Sequence, residues 1–355
     1  MPLRGWTMRG LSRCMVVALM LGLWLSAVAM GEAQKADTVA GAQQQPKEEA
    51  GQKTPAVTAQ QAGVVNVNVL VTDEDGRTIP GLKKENFRVL DNGTPVTVQS
   101  LSPTSTPITV VMLLEYSSLA YGYYAGKATY WAAGFLDHLE PRDWVGLVTY
   151  DLHSRVRIDF THNRAAVLDA IGSLGIPTYS ESNLFDGLID TVEMMDRVRG
   201  RKTILLLTTG ANSFSAASFD DVRRRLRSSD VTIFCVGLAE EEVVRSARTP
   251  IGYLQSQTFL REFSEQTGGI AWFPRFQAEL PEIFRSVVGF LRSEYTLSFT
   301  PPEAARDGKY HKLTVQVVGS DGKPLRITNE SGRQRKVKAI ARAGYQLPPE
   351  MRSAR

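Results

Sequence analysis

The sequence contains few of the residues from which disulfide frameworks and metal centres are built. Its 355 residues include two cysteines, Cys14 and Cys235, and four histidines. Cys14 belongs to an apolar N-terminal stretch, so a chain that loses this stretch keeps Cys235 alone and cannot form an internal disulfide. Residues 232–236 are typical of a buried strand. We therefore expect Cys235 to be an unreactive core thiol.

The motifs of the common enzyme classes are also missing. The histidines show no metal-ligand or triad spacing, and there is no nucleophile elbow, Walker loop, dinucleotide fingerprint or zinc-protease motif. Asp151–Ser154 contains residue types suited to acid–base chemistry, but adjacent residues at a strand end point to opposite faces. The sequence predicts that the protein is not an enzyme.

An excess of charge of one sign is absent as well. The formal net charge is +4, and three of the positive charges are Arg4, Arg9 and Arg13. Without these arginines the chain carries a net charge of about +1. The clusters Arg223–Arg225 and Glu240–Glu242 are predicted to be solvated faces. We expect no nucleic-acid partner.

The first residues of the chain have the order of a secretory signal peptide. The basic residues precede an apolar run from Cys14 to Met30, which contains Ala27-Val28-Ala29 before Gly31. An uncleaved anchor is the alternative, because the run is near the lower length limit for spanning a bilayer. We predict a signal peptide at residues 1–30 of an exported chain, which is periplasmic, secreted or envelope-associated. Membrane contact is expected only through this segment, if it is uncleaved.

The amino-acid composition changes after the apolar run. Residues 31–63 are rich in Ala, Gln, Lys, Glu, Thr and Gly and contain no aromatic residue. Such a segment cannot bury enough apolar surface to offset its ordering entropy. We predict a flexible linker.

Two kinds of hydrophobic pattern follow the linker. Residues 64–103 alternate apolar and polar side chains, and the turn Asp91-Asn92-Gly93 between Phe87–Leu90 and Val96–Gln99 predicts a β-hairpin. Residues 104–292 alternate short apolar runs with amphipathic helices, which predicts a mainly parallel α/β sheet covered by helices on both faces. The predicted buried strands are Ile108–Leu114, Trp144–Tyr150, Thr203–Thr208 and Val231–Val236.

The strand pattern returns at residues 293–347, notably in Tyr295–Phe299, Lys312–Val317 and Val337–Tyr345. Each end-piece has too few strands to be stable alone. We predict that residues 64–103 and 293–347 form one small β-sandwich, with the α/β domain inserted between them. Residues 348–355 are predicted to be a tail.

Three segments carry a family resemblance, namely Pro107–Ser118, Ser182–Gly187 and Gly200–Gly210. They resemble, in the usual order, the metal-site loops of a von Willebrand factor A-type (VWA) domain. The flanking segments, one beginning at Val71 and the other ending at Tyr345, resemble those of VWFA-related domain proteins of the acidobacterial type. The resemblance covers the folded part and implies a Rossmann-like α/β domain within a β-sandwich.

The resemblance also implies a metal-ion-dependent adhesion site. The family builds it from an Asp-x-Ser-x-Ser loop, a Thr and an Asp. The matching positions here are Glu115, Ser117, Leu119, Ser182 and Thr209. Leu119 is apolar and Thr209 is uncharged, which weakens a site for Mg²⁺ or Mn²⁺. We expect a degenerate metal site at Glu115, Ser117, Ser182 and Thr209; alternatively, these side chains only hydrogen-bond the loops together.

A cluster of tyrosines follows the first strand of the resemblance. Exposed tyrosines provide contact area at low entropy cost and are enriched in binding hot spots. We expect this face to bind a partner through Tyr116, Tyr121, Tyr123 and Tyr124. The alternative is that some rings pack against the first helix. Asp186 is expected to lie just inside a helix and to stabilise the N-terminus of that helix; the alternative is that it is an outer-shell partner of the metal.

These features predict an exported VWA-type binding module that recruits an unknown protein or peptide. The alternative is a structural or assembly subunit of a cell-envelope complex, with no metal or ligand chemistry at the VWA site. The one cofactor considered is Mg²⁺ or Mn²⁺ at the weakened metal site.

Overall fold

The computed structural model describes residues 64–102, 106–124, 127–238, 250–328 and 332–347. The predicted signal peptide, linker and tail lie outside the described residues, as do Cys14 and Glu240–Glu242. None of the described helices combines the length and the apolar character that a membrane span requires.

A six-stranded sheet forms the centre of the α/β domain. With strands numbered in chain order, its spatial order is β10 (Ala271–Trp272), β9 (Thr232–Gly237), β8 (Arg201–Thr208), β5 (Ile108–Glu115), β6 (Trp144–Tyr150) and β7 (Ser154–Thr161). All neighbouring strands are parallel except β6 and β7. The mainly parallel sheet and its four predicted strands are confirmed. Strands β5 and β8 are apolar almost throughout because helices bury both of their faces.

Helices cover both faces of this sheet. They are α1 (Tyr121–Tyr124), α2 (Ala128–Leu136), α3 (Arg164–Gly172), α4 (Leu184–Asp196), α5 (Phe219–Arg227), α6 (Pro250–Thr267) and α7 (Leu280–Ser293). Side chains of α2, α3 and α7 form the core on one face, and those of α4, α5 and α6 form the core on the other. Short 3-10 turns occur at Lys84–Asn86, Gln277–Glu279 and Glu303–Ala305.

Local contacts and burial stabilise these elements. The Ser218 hydroxyl caps α5 by accepting a hydrogen bond from the amide of Asp221, at 3.2 Å. An apolar stripe is buried along α7, from Leu280 to Leu291. Cys235 is fully buried, and this burial raises the pKa of its thiol to about 12.

Two antiparallel sheets form the predicted sandwich from strands at both ends of the folded part. One has the order β13 (Arg326–Thr328), β14 (Gln334–Ala341), β1 (Val65–Asp73), β11 (Tyr295–Phe299) and β4 (Val98–Ser102). The other has the order β15 (Gly344–Gln346), β12 (Tyr310–Val317), β2 (Phe87–Asp91) and β3 (Thr94–Val96). A third apolar core, separate from those of the α/β domain, contains side chains from both sheets.

The structure corrects two predicted strands. Val96–Gln99 is not one strand, because β3 and β4 belong to different sheets and the chain changes sheet at Thr97. The predicted strand Val337–Tyr345 is also divided, into β14 and β15. Between them the Arg342 guanidinium donates to the Ser229 carbonyl at 2.6 Å, so the chain leaves the sheet to contact the α/β domain.

The hairpin turn itself is confirmed. Asn92 and Gly93 have φ angles of 47° and 86°, the left-handed conformation that an Asn-Gly turn between antiparallel strands requires. β2 and β3 pair on either side of it, from Asp91↔Thr94 to Val89↔Val96.

Candidate functional site

Three loops meet at the carboxyl ends of β5 and β8, the edge at which open α/β sheets place their ligand sites. We call residues 116–120, 173–183 and 209–218 the strand-end loops. Backbone hydrogen bonds connect them: the Ser118 amide donates to the Tyr179 carbonyl at 2.8 Å, and the Ser213 amide donates to the Ser182 carbonyl at 2.7 Å. The loops are therefore held in one arrangement by the backbone itself.

The Glu115 carboxylate, at the end of β5, is fully buried among these loops. Its Oε1 accepts a hydrogen bond from the Ser117 hydroxyl at 2.6 Å. Its Oε2 accepts from the Thr208 hydroxyl at 2.8 Å and from the Thr209 amide at 2.6 Å. The Thr209 hydroxyl lies 2.8 and 3.0 Å from the two oxygens. One carboxylate thus joins the first loop to the third.

The surroundings of the three hydroxyls orient their protons towards Glu115. Each hydroxyl oxygen already accepts a hydrogen bond from a backbone amide, which leaves its single proton for the carboxylate. The donating amides are Ala120 to Ser117, Gly210 to Thr208, and Ala211 to Thr209. Burial is the larger effect and raises the pKa of Glu115, while these hydrogen bonds oppose the shift.

The donor set does not fit a divalent cation. A carboxylate offers about four lone-pair directions, and four donor groups already occupy those of Glu115. No group of three or more metal-ligating His, Cys, Asp or Glu side chains occurs among the residues that the structure describes. Ser182 is fully buried and its hydroxyl has no hydrogen-bond partner in the described structure. A lone hydroxyl and the half-buried Leu119 cannot replace the missing second carboxylate.

The Asp186 carboxylate contacts a backbone segment outside its own helix. Its two carboxylate oxygens accept from the amides of Ala216 and Ala217, each at 2.8 Å. These amides belong to the third strand-end loop, just before the Ser218 cap of α5. Asp186 therefore connects α4 to this loop, although it lies in the first turn of α4 as expected.

The predicted tyrosine cluster is only partly described. Tyr116 is half-buried, and its hydroxyl donates to the Gly175 carbonyl at 2.8 Å. Tyr121 is half-buried at the start of α1. The side chains of Tyr123 and Tyr124 lie outside the described residues. Tyr116 is thus positioned by the second strand-end loop, beside Glu115.

The residues Asp151–Ser154, which were considered for acid–base chemistry, form hydrogen bonds and an ion pair with neighbouring residues. The Asp151 carboxylate accepts from the backbone amide of His153 at 2.9 Å and forms an ion pair with Arg155 at 2.7 Å. It therefore stabilises the turn between β6 and β7. His153 lines a polar cavity of about 410 Å³ together with Ser154 and Asp190, whose side chains hydrogen-bond each other.

Several side chains of this edge were not among the predicted site residues. Thr208 precedes the matched Thr209 position and completes the Glu115 contacts, and a second threonine in the motif was the available signal. Ile176, Tyr179 and Phe214 are 79%, 40% and 70% exposed on the strand-end loops. No periodic pattern marks exposed residues in loops, so no sequence signal identified these three.

The family model of the von Willebrand factor type A domain matches residues 110–265. A solved structure of a von Willebrand factor type A protein from Catenulispora acidiphila is 13% identical with a TM-score of 0.44, covering 83% of this chain and 77% of that chain. The hypothetical protein BatB from Bacteroides thetaiotaomicron is 13% identical with a TM-score of 0.38, covering 52% and 98%.

Proximal thread matrix protein 1 from the mussel byssus, solved with zinc in its metal-ion-dependent adhesion motif, is also similar. It is 13% identical with a TM-score of 0.42, and the match covers 53% of this chain and 48% of that chain. The match thus spans about half the length of the mussel protein. A comparison with curated proteins finds no match.

Proposed function

The chain contains a von Willebrand factor type A domain at residues 110–265, and we propose that it is an exported module that binds a protein partner at its strand-end loops without a metal ion. The signal-peptide pattern of residues 1–30 supports export. The distribution of exposed apolar side chains carries the proposal of a binding face.

Seven large apolar or aromatic side chains are exposed in the described part of the chain, and all belong to the α/β domain. Each lies on a loop at the carboxyl edge of the sheet or in the first five residues of an element that starts there. They are Tyr130, Val156, Ile176, Tyr179, Phe214, Leu254 and Phe276. Apolar surface gathered at one edge is typical of a protein-interaction site, whereas single scattered residues are not.

The Glu115 contacts support a metal-free mode of binding. The buried carboxylate and its hydroxyl donors hold the first and third strand-end loops together from within. A loop edge that is already ordered loses little conformational entropy when a partner binds. In this proposal Glu115, Ser117 and Thr209 position the loops, and the exposed side chains contact the partner.

Metal titration tests the first part of the proposal. We expect isothermal titration of the chain with MgCl₂ or MnCl₂ to show no saturable heat, because the Glu115 oxygens are fully used. Glu115→Ala is the control and should give the same flat titration. Saturable binding by the wild-type chain that disappears in Glu115→Ala would show that Glu115 ligates a metal and would contradict a metal-free site.

Capture of a partner tests the second part. We expect the immobilised chain to retain a partner saturably from solubilised envelope extract, with or without EDTA. Ile176→Ser with Phe214→Ser should weaken retention roughly 30-fold, as expected for the loss of central apolar contacts. Lys336→Ser, an exposed position on β14, is the matched surface control and should retain the partner.

The same experiment distinguishes the scaffold alternative. A structural subunit with an inert VWA site would bind equally well before and after the Ile176 and Phe214 substitutions. Binding lost only after the Lys336 substitution would place the contact on the sandwich and overturn the loop-edge proposal.

A further inference from the structure

One arginine lies at the binding edge and is held on two sides. Arg157 is on β7, and its Nε donates to the Thr149 hydroxyl at 2.8 Å. Its guanidinium carbon lies 5.5 Å from the centre of the Tyr116 ring, within range of a cation–π contact. Because Tyr116 directly follows Glu115 and donates to Gly175, this cation lies where the first two strand-end loops meet.

Arg157 differs from its neighbours in charge pairing. Arg155, two residues earlier on the same strand, pairs with Asp151 at 2.7 Å. Arg197 lies 4.0 Å from Asp159, the residue two positions after Arg157. Arg157 is exposed and forms no ion pair with a carboxylate among the described residues. Its positive charge is therefore available to a ligand.

Exposed apolar side chains lie on the second strand-end loop, which contacts Tyr116. Ile176 directly follows Gly175, whose carbonyl accepts from Tyr116, and it is 79% exposed. Tyr179 is fixed by the hydrogen bond from Ser118 to its carbonyl. A ligand that fits this surface carries a negative group beside an apolar side chain.

We propose that Arg157 binds a carboxylate of an acidic peptide segment of the partner, while Ile176 and Tyr179 contact an apolar residue next to it. This inference rests on the proposed binding function of the strand-end loops. A guanidinium offers two parallel N–H donors to a carboxylate. A guanidinium that already lies over an aromatic ring loses less side-chain freedom when it binds. In this proposal no metal ion binds at Glu115, and Arg157 supplies the positive charge that contacts the partner.

The probe is a set of terminally blocked decapeptides in matched pairs, in which one Asp or Glu beside Leu or Phe is replaced by Asn or Gln. Affinities are measured with the full chain by fluorescence polarisation at low salt. We expect the acidic member of the best pair to bind at least roughly 10-fold more tightly than its amide counterpart. The preference should fall as salt is added, because the pair is solvent-exposed.

Two substitutions at Arg157, one that removes its charge and one that keeps it, and one control substitution at Arg197 decide the role of Arg157. Arg157→Gln should remove the acidic preference, and Arg157→Lys should restore part of it because the charge returns without the planar fork. Arg197→Gln, at the far end of α4, should keep the full preference. The side chain of Arg157 is exposed, so all three variants should melt within about 2 °C of the wild-type chain.

Two results would overturn the proposal: no acidic peptide in the set binds better than its amide counterpart, or Arg157→Gln keeps the preference. The proposed function fails separately. Partner capture that depends on Ile176 and Phe214 but not on Arg157 would leave the binding face standing and refute the arginine contact. Absence of any saturable capture would refute the binding face itself.

Discussion

Replacing Glu115 by alanine should lower the free energy of unfolding by about 3 kcal/mol. The substitution removes the acceptor shared by the hydroxyls of Ser117, Thr208 and Thr209 and by one backbone amide, all in a buried site. Donors left without an acceptor keep their desolvation cost, and the missing side chain also leaves a cavity. Urea denaturation of the wild-type and variant chains, followed by circular dichroism, measures the difference.

Two controls separate the hydrogen bonds from the cavity. Glu115→Gln keeps the size of the side chain and one acceptor oxygen, so we expect a loss of about 1–2 kcal/mol. Ser117→Ala removes one donor and should cost about 1 kcal/mol. If Glu115→Ala proves as stable as the wild type, the relief of a buried charge exceeds the lost hydrogen bonds, and Glu115 is not what holds the loops.

The fold was predictable where apolar residues repeat over a whole element. The runs that became β5, β6, β8 and β9 are buried on both faces, and the stripe along α7 faces one core. The places where the chain changes sheet were not predictable. Arg342 interrupts the last strand because its guanidinium reaches Ser229 in the α/β domain, and such a contact depends on residues far apart in sequence.

The site was predictable in its residue types but not in its contacts. The loop motifs identified Glu115, Ser117 and Thr209, and these three side chains do meet. Hydrogen-bond donors fill the acceptor positions of the Glu115 carboxylate. This follows from distances in three dimensions, which a sequence motif does not contain. Arg157 was missed for the same reason, because it lies on β7 and its partner Tyr116 lies on the first strand-end loop.

Truncating Glu294 to alanine should destabilise the chain by about 3–5 kcal/mol. Glu294 lies between α7 and β11, where the α/β domain joins the sandwich, and its Oε2 is 2.7 Å from an Nη of Arg201 at the start of β8. Both side chains are buried, and Arg201 also donates to the Leu291 carbonyl. Removing one partner leaves the other charge buried and unpaired. Denaturant titration of Glu294→Ala measures the loss, and Glu282→Ala, on the exposed face of α7, is the control that should change little.

The pair itself need not stabilise the fold, and a double-mutant cycle tests this. Arg201 Nε and Nη1 and Glu294 Oε1 have no hydrogen-bond partner in the described structure, so the ions are incompletely compensated. Burial raises the pKa of Glu294 even though Arg201 opposes the shift. We therefore expect Arg201→Met with Glu294→Leu to be less destabilised than either single variant, because an apolar pair avoids the desolvation cost. A double variant that loses the sum of the two single losses would show that the two residues act independently and that the ion pair does not join α7 to β8.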